Sequence, residues 1–153
     1  MDDAVKVDVP AIACDLSDAS DTAEERMAEY DRLFTQALAG RERTEQGVRL
    51  RLRAEEGVEA WVRDLAAREK ACCPFYNFTV DTTDGEVWWD ISLVDGVAAD
   101  DEQMARTLLD TYYYAPDYAA EGVAGVTRWL AGNGLAVTTD ESGMVMQFDT
   151  RQG

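Results

Sequence analysis

The sequence predicts an α+β fold, a mostly antiparallel sheet with two helices on one face, and three observations carry that prediction. Two stretches repeat apolar residues at helical spacing, at Met27, Tyr30, Leu33, Phe34, Ala37 and Leu38 and again at Val58, Trp61, Val62 and Leu65. Between them Val48, Leu50 and Leu52 alternate with Arg49, Arg51 and Arg53, the pattern of a half-buried strand with an arginine face. Beyond them, Phe78-Thr79-Val80 and Val87 to Leu93 flank Asp84-Gly85, a strong hairpin signal. Helices segregated against an antiparallel sheet in the order strand, helix, strand, helix, hairpin give the α+β class.

Taken in order, residues 1–10 read as a loose leader ending at Pro10, and Ala11-Ile12-Ala13-Cys14 as a short edge strand. Asp21 with Glu24 reads as the cap and box partner of the first helix, which Gly40 ends. Gly57 precedes the second helix, and Pro74 disfavours helical geometry at Cys73, so that helix should stop at about Cys72. Residues 11–96 thus form a thiol-bearing core. Residues 97–153 add a helix over 100–114 ending in Tyr112-Tyr113-Tyr114, a second helix opened by Pro116 and running to Leu130, and a stop at Gly132-Asn133-Gly134. A last hairpin, Leu135 to Thr139 and Met144 to Phe148 around Ser142-Gly143, completes this tail. It is short for an independent domain and should pack on the core as part of the same domain.

Composition narrows the function. With 31 acidic against 14 basic residues the net charge is −17, which opposes unassisted nucleic-acid binding and anionic membrane surfaces. No apolar run approaches a membrane span, and the acidic Met1-Asp2-Asp3 start lacks a secretory signature. A cytoplasmic, reducing setting is the expectation, in which the cysteines are thiols rather than a disulfide framework. Histidine is absent, which removes the usual neutral-pH acid/base and the commonest metal ligand. Chemistry near pH 7 then rests on thiols, carboxylates, tyrosines or lysine.

Three cysteines are present, Cys14, Cys72 and Cys73. Glu69, Cys72 and Cys73 stand at i, i+3 and i+4, where side chains share a helix face. Counted from Leu65, Glu69 and Cys72 prolong the apolar stripe, so the carboxylate should point partly inward, able to accept a proton or serve as an oxygen ligand. A helix C-terminus is the wrong end for thiolates, so Lys70, Arg68 or a bound cation would have to compensate. Adjacent cysteines, with Cα atoms about 3.8 Å apart, make a poor disulfide. As thiolates they suit a large soft ion of low coordination number, and Cys14 completes a three-sulfur metal site if its strand runs beside the end of the second helix. The spacing does not fit structural zinc. Buried cysteines that simply fill core space are the plain alternative, and Cys14 alone reads more readily as core than as ligand.

The stretch Glu69-x-x-Cys72-Cys73-Pro74-Phe75, then Phe78, together with Ala13-Cys14-Asp15-Leu16 and a following Glu/Arg-rich amphipathic helix, resembles small uncharacterised bacterial proteins that carry a strand-borne Cys and an E-x-x-C-C-x-F helix end. Some of those are associated with heavy-metal resistance. The resemblance covers about residues 11–94 and implies that Cys14, Cys72 and Cys73 act together with Glu69 alongside. A looser likeness is to organomercurial lyase, which also has cysteines followed by aromatics, and no activity is carried over from it.

The first expectation is capture of a soft metal or metalloid ion, such as Hg, As(III) or Cd, with no other cofactor called for. Two alternatives stand beside it. One is a thiol enzyme, redox or carbon–metal bond cleaving, in which Cys72 or Cys73 is the nucleophile and Glu69 the base. The other is a non-catalytic interaction module with structural cysteines, its oligomer or partner contact made by Tyr112, Tyr113, Tyr114, Tyr118 and the tryptophans. The tyrosines read first as core and boundary packing. Trp88-Trp89 should place one ring on each sheet face, the outer one needing cover from the tail or a partner. Arg49, Arg51 and Arg53 should pair with carboxylates, and the acidic runs Asp15 to Glu25 and Asp95 to Glu102 read as solvated faces and caps.

Overall fold

The computed structural model describes residues 13–16, 19–94, 102–139 and 145–150. The 1–10 leader, the Ser142-Gly143 turn and most of the acidic run from Asp95 lie outside them. The fold is α+β. Its elements are β1 (Ala13–Asp15), α1 (Ala23–Ala37), β2 (Leu38–Arg43), β3 (Gly47–Arg53), α2 (Val58–Cys72), β4 (Tyr76–Thr83), β5 (Glu86–Leu93), α3 (Glu102–Tyr118), a 3-10 turn (Ala119–Glu121), α4 (Gly122–Gly132), β6 (Leu135–Thr139) and β7 (Val145–Thr150).

A four-stranded antiparallel sheet runs β2-β3-β5-β4. The period-2 alternation of β3 sends Val48, Leu50 and Leu52 to one face, where they meet Val87, Trp89 and Ile91 of β5. Those six are almost fully buried. Burial of each contributes about 1.5–3 kcal/mol relative to exposure. Leu33 and Ala37 of α1 and Val58, Val62 and Leu65 of α2 close on the same core. A third helix also covers this face, since the Tyr112 ring of α3 sits edge-on to Phe78 at 5.9 Å and packs against Trp89 at 6.4 Å. A separate three-stranded sheet runs β1-β7-β6, with α4 against β6.

Several expectations change in detail. The cap of α1 is Thr22, not Asp21: its hydroxyl accepts from the Glu25 amide at 3.1 Å and the Glu25 carboxylate accepts from the Thr22 amide at 2.9 Å. Asp21 is drawn away by an arginine instead. The helix gives way at Leu38 to β2, an edge strand that Leu-Ala-Gly-Arg-Glu-Arg does not announce by periodicity, and Gly40 lies within it beside a register shift. α3 runs straight through Pro116, which had been expected to open a new helix. Proline withholds the amide that would reach the Tyr112 carbonyl. Side chains bind the carbonyls on either side: Tyr118 donates to Thr111 at 2.6 Å and Arg41 to Tyr113 at 2.8 Å. The new helix begins at Gly122, and Gly125 is required there because a Cβ would stand 2.6 Å from the Tyr118 carbonyl oxygen.

α2 ends where Pro74 requires. The Cys73 amide makes the last bond, to the Glu69 carbonyl at 2.7 Å, and the chain then turns into β4. Lys70 folds over this turn and donates to the carbonyls of Pro74 at 3.0 Å and Tyr76 at 2.7 Å. Its positive charge thus sits at the negative end of the helix. Among the described residues no helix is long and apolar enough to cross a membrane.

Candidate functional site

Where α1, α2 and α3 meet, two buried stripes each end in a charge. On α2 the stripe Val58, Val62, Leu65 continues to Glu69 and Cys72, both buried. On α1 the stripe Ala37, Leu33, Tyr30 continues back to Arg26, also buried. The two charges meet, with Arg26 Nη1 donating to Glu69 Oε2 at 2.6 Å. Arg26 Nε and Nη2 grip Asp21 at 2.6 and 2.8 Å in the forked geometry that guanidinium suits. The same Nη2 lies 3.8 Å from Cys72 Sγ. From α3, the Tyr112 hydroxyl donates to the other carboxylate oxygen of Glu69. Arg68 ties the cluster outward, binding Asp21 at 3.2 Å and Glu29 at 2.7 Å, while Trp61 Nε1 donates to Glu29 at 2.7 Å.

These contacts set the protonation of each group. Burial alone would lower the Arg26 guanidinium, but its bonds to Asp21 and Glu69 outweigh that and raise it, so it stays cationic. The Arg26 hydrogen bond holds Asp21 below its ordinary value. Burial, with the Glu69 and Asp21 charges behind it, pushes the Cys72 thiol up from 9.0 despite the pull of Arg26. Cys72 is therefore protonated at neutral pH. Tyr112 is pushed up too, by burial and then by the Glu69 charge.

Cys72 is a free thiol and Cys73 is disulfide-bonded, so the adjacent pair is not bridged to itself. The disulfide at Cys73 departs from the expectation of three thiols. Of the three predicted ligands, Cys72 and Cys73 are buried side by side at the end of α2 with Glu69 behind them. The Cys14 side chain lies outside the described residues. Its backbone is in β1, opposite Met146 of β7, so its strand belongs to the small sheet rather than to the main one. Among the described residues no group of three His, Cys, Asp or Glu side chains is arranged to hold a metal.

A cavity of about 130 Å3 opens onto this cluster. Its wall is mostly apolar, and Arg26, Glu69 and Cys72 are among the residues that line it. The exposed Thr127 and half-buried Met27 and Val123 among its lining residues put the mouth between α1 and α4.

Sequence reasoning named Glu69, Cys72 and Cys73 but missed Arg26 and the bond that Tyr112 makes. The signal for Arg26 was present, since it stands four residues before Tyr30 and seven before Leu33, on the buried stripe. The other predicted pairings are found where expected. Arg49 binds Asp90 at 2.7 Å and Arg51 binds Glu86 at 2.9 Å. The Arg49 guanidinium lies over the outer Trp88, 4.1 Å from its ring centroid.

No family model, curated protein or solved structure matches this chain.

Proposed function

We propose that the chain captures a soft metal or metalloid ion through thiolates of Cys14, Cys72 and Cys73, with Glu69 and Arg26 setting the charge around them. One observation carries the reading. Cys73 forms a disulfide while its neighbour Cys72 is free, so a third sulfur bonds the residue next in sequence to Cys72. The remaining cysteine of the sequence is Cys14, and the reading assigns that sulfur to it.

Capture starts from the reduced protein. A dithiol reductant gives up two electrons and two protons, becoming a disulfide itself, and leaves three thiols. An incoming Hg(II) ion exchanges those protons for metal–sulfur bonds. Arsenite, As(OH)3, exchanges its three hydroxyls for three sulfurs and releases three waters. Affinity for a divalent ion rises with pH because protons leave on binding. The raised pKa of Cys72 favours ion capture over the enzymatic alternative, since an attacking thiol needs its thiolate before the substrate arrives. Glu69, already accepting from Arg26 and Tyr112, is better placed to balance charge than to act as a free base.

The test is titration of the fully reduced protein with Hg(II), arsenite, Cd(II) and Zn(II), following sulfur-to-metal absorption and the count of reactive thiols. One ion per chain with three thiols protected is the expected result, and Cys72→Ser should weaken binding severely. Thiols that stay unreactive until the protein is denatured would make the cysteines core residues and end the reading. Unchanged affinity and absorption in Cys14→Ser would end its three-sulfur form.

A further inference from the structure

The four-stranded sheet has two edges, and the chain treats them differently. β2 is guarded: its pairing slips between Leu38 and Gly40, three of its six residues are charged, and Arg41 and Arg43 are held down on α3. β4 carries none of these devices. It runs eight residues in unbroken register with β5, without proline, and Asp81 is its one charge. The register also fixes which of its backbone groups face outward. The Val94 amide bonds the Phe75 carbonyl at 3.0 Å, so every second residue onward, from Asn77 to Thr83, turns its amide and carbonyl to β5. Tyr76, Phe78, Val80 and Thr82 turn theirs away. Tyr76 is satisfied, its amide by the Cys73 carbonyl at 3.2 Å and its carbonyl by Lys70 at 2.7 Å. On that side Phe78, Val80 and Thr82 have no backbone partner among the described residues.

We propose that this edge pairs antiparallel with the same edge of a second copy, about a two-fold axis at Val80, giving a closed dimer with one continuous sheet. Three donors and three acceptors at alternate positions are self-complementary, and a single register uses them all. In it Val80 bonds Val80 of the second copy and Phe78 bonds Thr82 in both directions, six bonds in total. The side chains agree with that register. On the helix-covered face Phe78 stands across from Thr82, and a groove of about 330 Å3 beside Phe78 and Val80, bounded on α2 by Ala66 and Ala67, leaves room for the added strand. On the other face Asp81 meets Thr79 of the second copy beside Asn77, whose side chain lies 3.5 Å from the Lys70 ammonium. Each carboxylate thus faces a hydroxyl with a cation near it, and no like charges stand directly opposite. That matters in a chain whose net charge of −17 otherwise keeps copies apart. Because β2 is guarded, assembly stops at two. Such pairing needs no thiol chemistry, so it stands or falls apart from metal capture.

The experiment is sedimentation equilibrium of the oxidised, metal-free protein over a wide concentration range, with amide hydrogen exchange read by NMR at both ends of that range. The mass should rise from one chain to two and stop there. The Phe78, Val80 and Thr82 amides should exchange fast in dilute solution and become protected together as the dimer forms. Thr82→Pro removes an outward amide while leaving the β4–β5 ladder its bonds, so the variant should keep the wild-type circular dichroism. It deletes two of the six bonds and should weaken the dimer about fivefold or more. A chain that stays monomeric at the highest concentration, a dimer that leaves those amides unprotected, amides already protected in the monomer, or an unchanged dimer affinity in folded Thr82→Pro would each overturn the proposal. The exchange result on the wild type decides the matter even where the variant does not fold.

Discussion

Arginine meets carboxylate in two regions of this molecule, and the same chemistry serves opposite purposes. On the outer face of the sheet, Arg49, Arg51 and Arg53 form a ladder with Glu42, Glu86, Asp90 and Glu55, and their side chains keep 23, 31 and 49% of their exposure. At the junction of α1 and α2, Arg26 keeps 5% and Glu69 10%. Water solvates the ladder whether or not its pairs form, so each pair is worth little. It reaches the inner pair far less, so that pair depends mainly on its partners to replace lost hydration. The outer arginines make a strand soluble; the inner one fixes how two helices face each other beside a thiol.

The largest expected effect lies at the inner pair. Arg26→Met should cost about 3–5 kcal/mol in urea denaturation, because Glu69 would be left charged and unpaired in the core. Adding Glu69→Gln to it should recover part of that loss. A cost below about 1 kcal/mol for Arg26→Met would erase the contrast between the two regions.

Next comes Tyr112→Phe, which removes a hydrogen bond to a buried charge and should cost about 1.5–3 kcal/mol by the same assay.

The contrast also has a pH signature. Asp21 and Glu29 titrate lower in the folded chain than their ordinary 3.8 and 4.5, chiefly through Arg26 and Arg68 respectively. Their contribution to stability is full above those ordinary values and is lost as pH falls through the folded ones. Cys72 titrates higher than 9.0 when folded, so its contribution is full below that value and is lost as pH rises through the raised one. Thermal melts across pH should therefore sag at both ends. Asp21→Asn should flatten the acid limb and Cys72→Ser the alkaline one.

The smallest effect belongs to the ladder. A double-mutant cycle between Arg49 and Asp90 should return about 0.2–1 kcal/mol, shrinking in high salt. A value matching the inner pair would mean that the outer face is covered by something further.

What could be read from the sequence was what a local rule governs. Pro74 ends α2 at Cys72, Asp84-Gly85 turns β4 into β5, and the Leu/Arg alternation of β3 assigns each residue its face. What escaped depends on distant partners. β2 exists because β3 offers it an edge, and its residues carry no period of their own. α3 survives Pro116 because Tyr118 and Arg41 bind the carbonyls around it. At the site, Glu69 was legible because it prolongs an apolar stripe. Its arginine lies 43 positions away, and only the packing of α1 on α2 brings them together. A lone charge closing one buried stripe implies an opposite charge closing another.

The alternation that sends Trp88 outward and Trp89 inward also gives the protein two optical reporters on neighbouring residues. Trp89 is buried, its indole N–H has no partner among the described residues, and its ring stacks on Tyr30 at 6.0 Å. Its emission should lie at short wavelength and respond to whatever enters the cavity beside Tyr30. Trp88 sits under the Arg49 guanidinium on the outer face, where its emission should follow salt and solvent instead. With Trp61 and Trp129 replaced by phenylalanine, the two could be followed in one spectrum, one reading the interior and the other the surface.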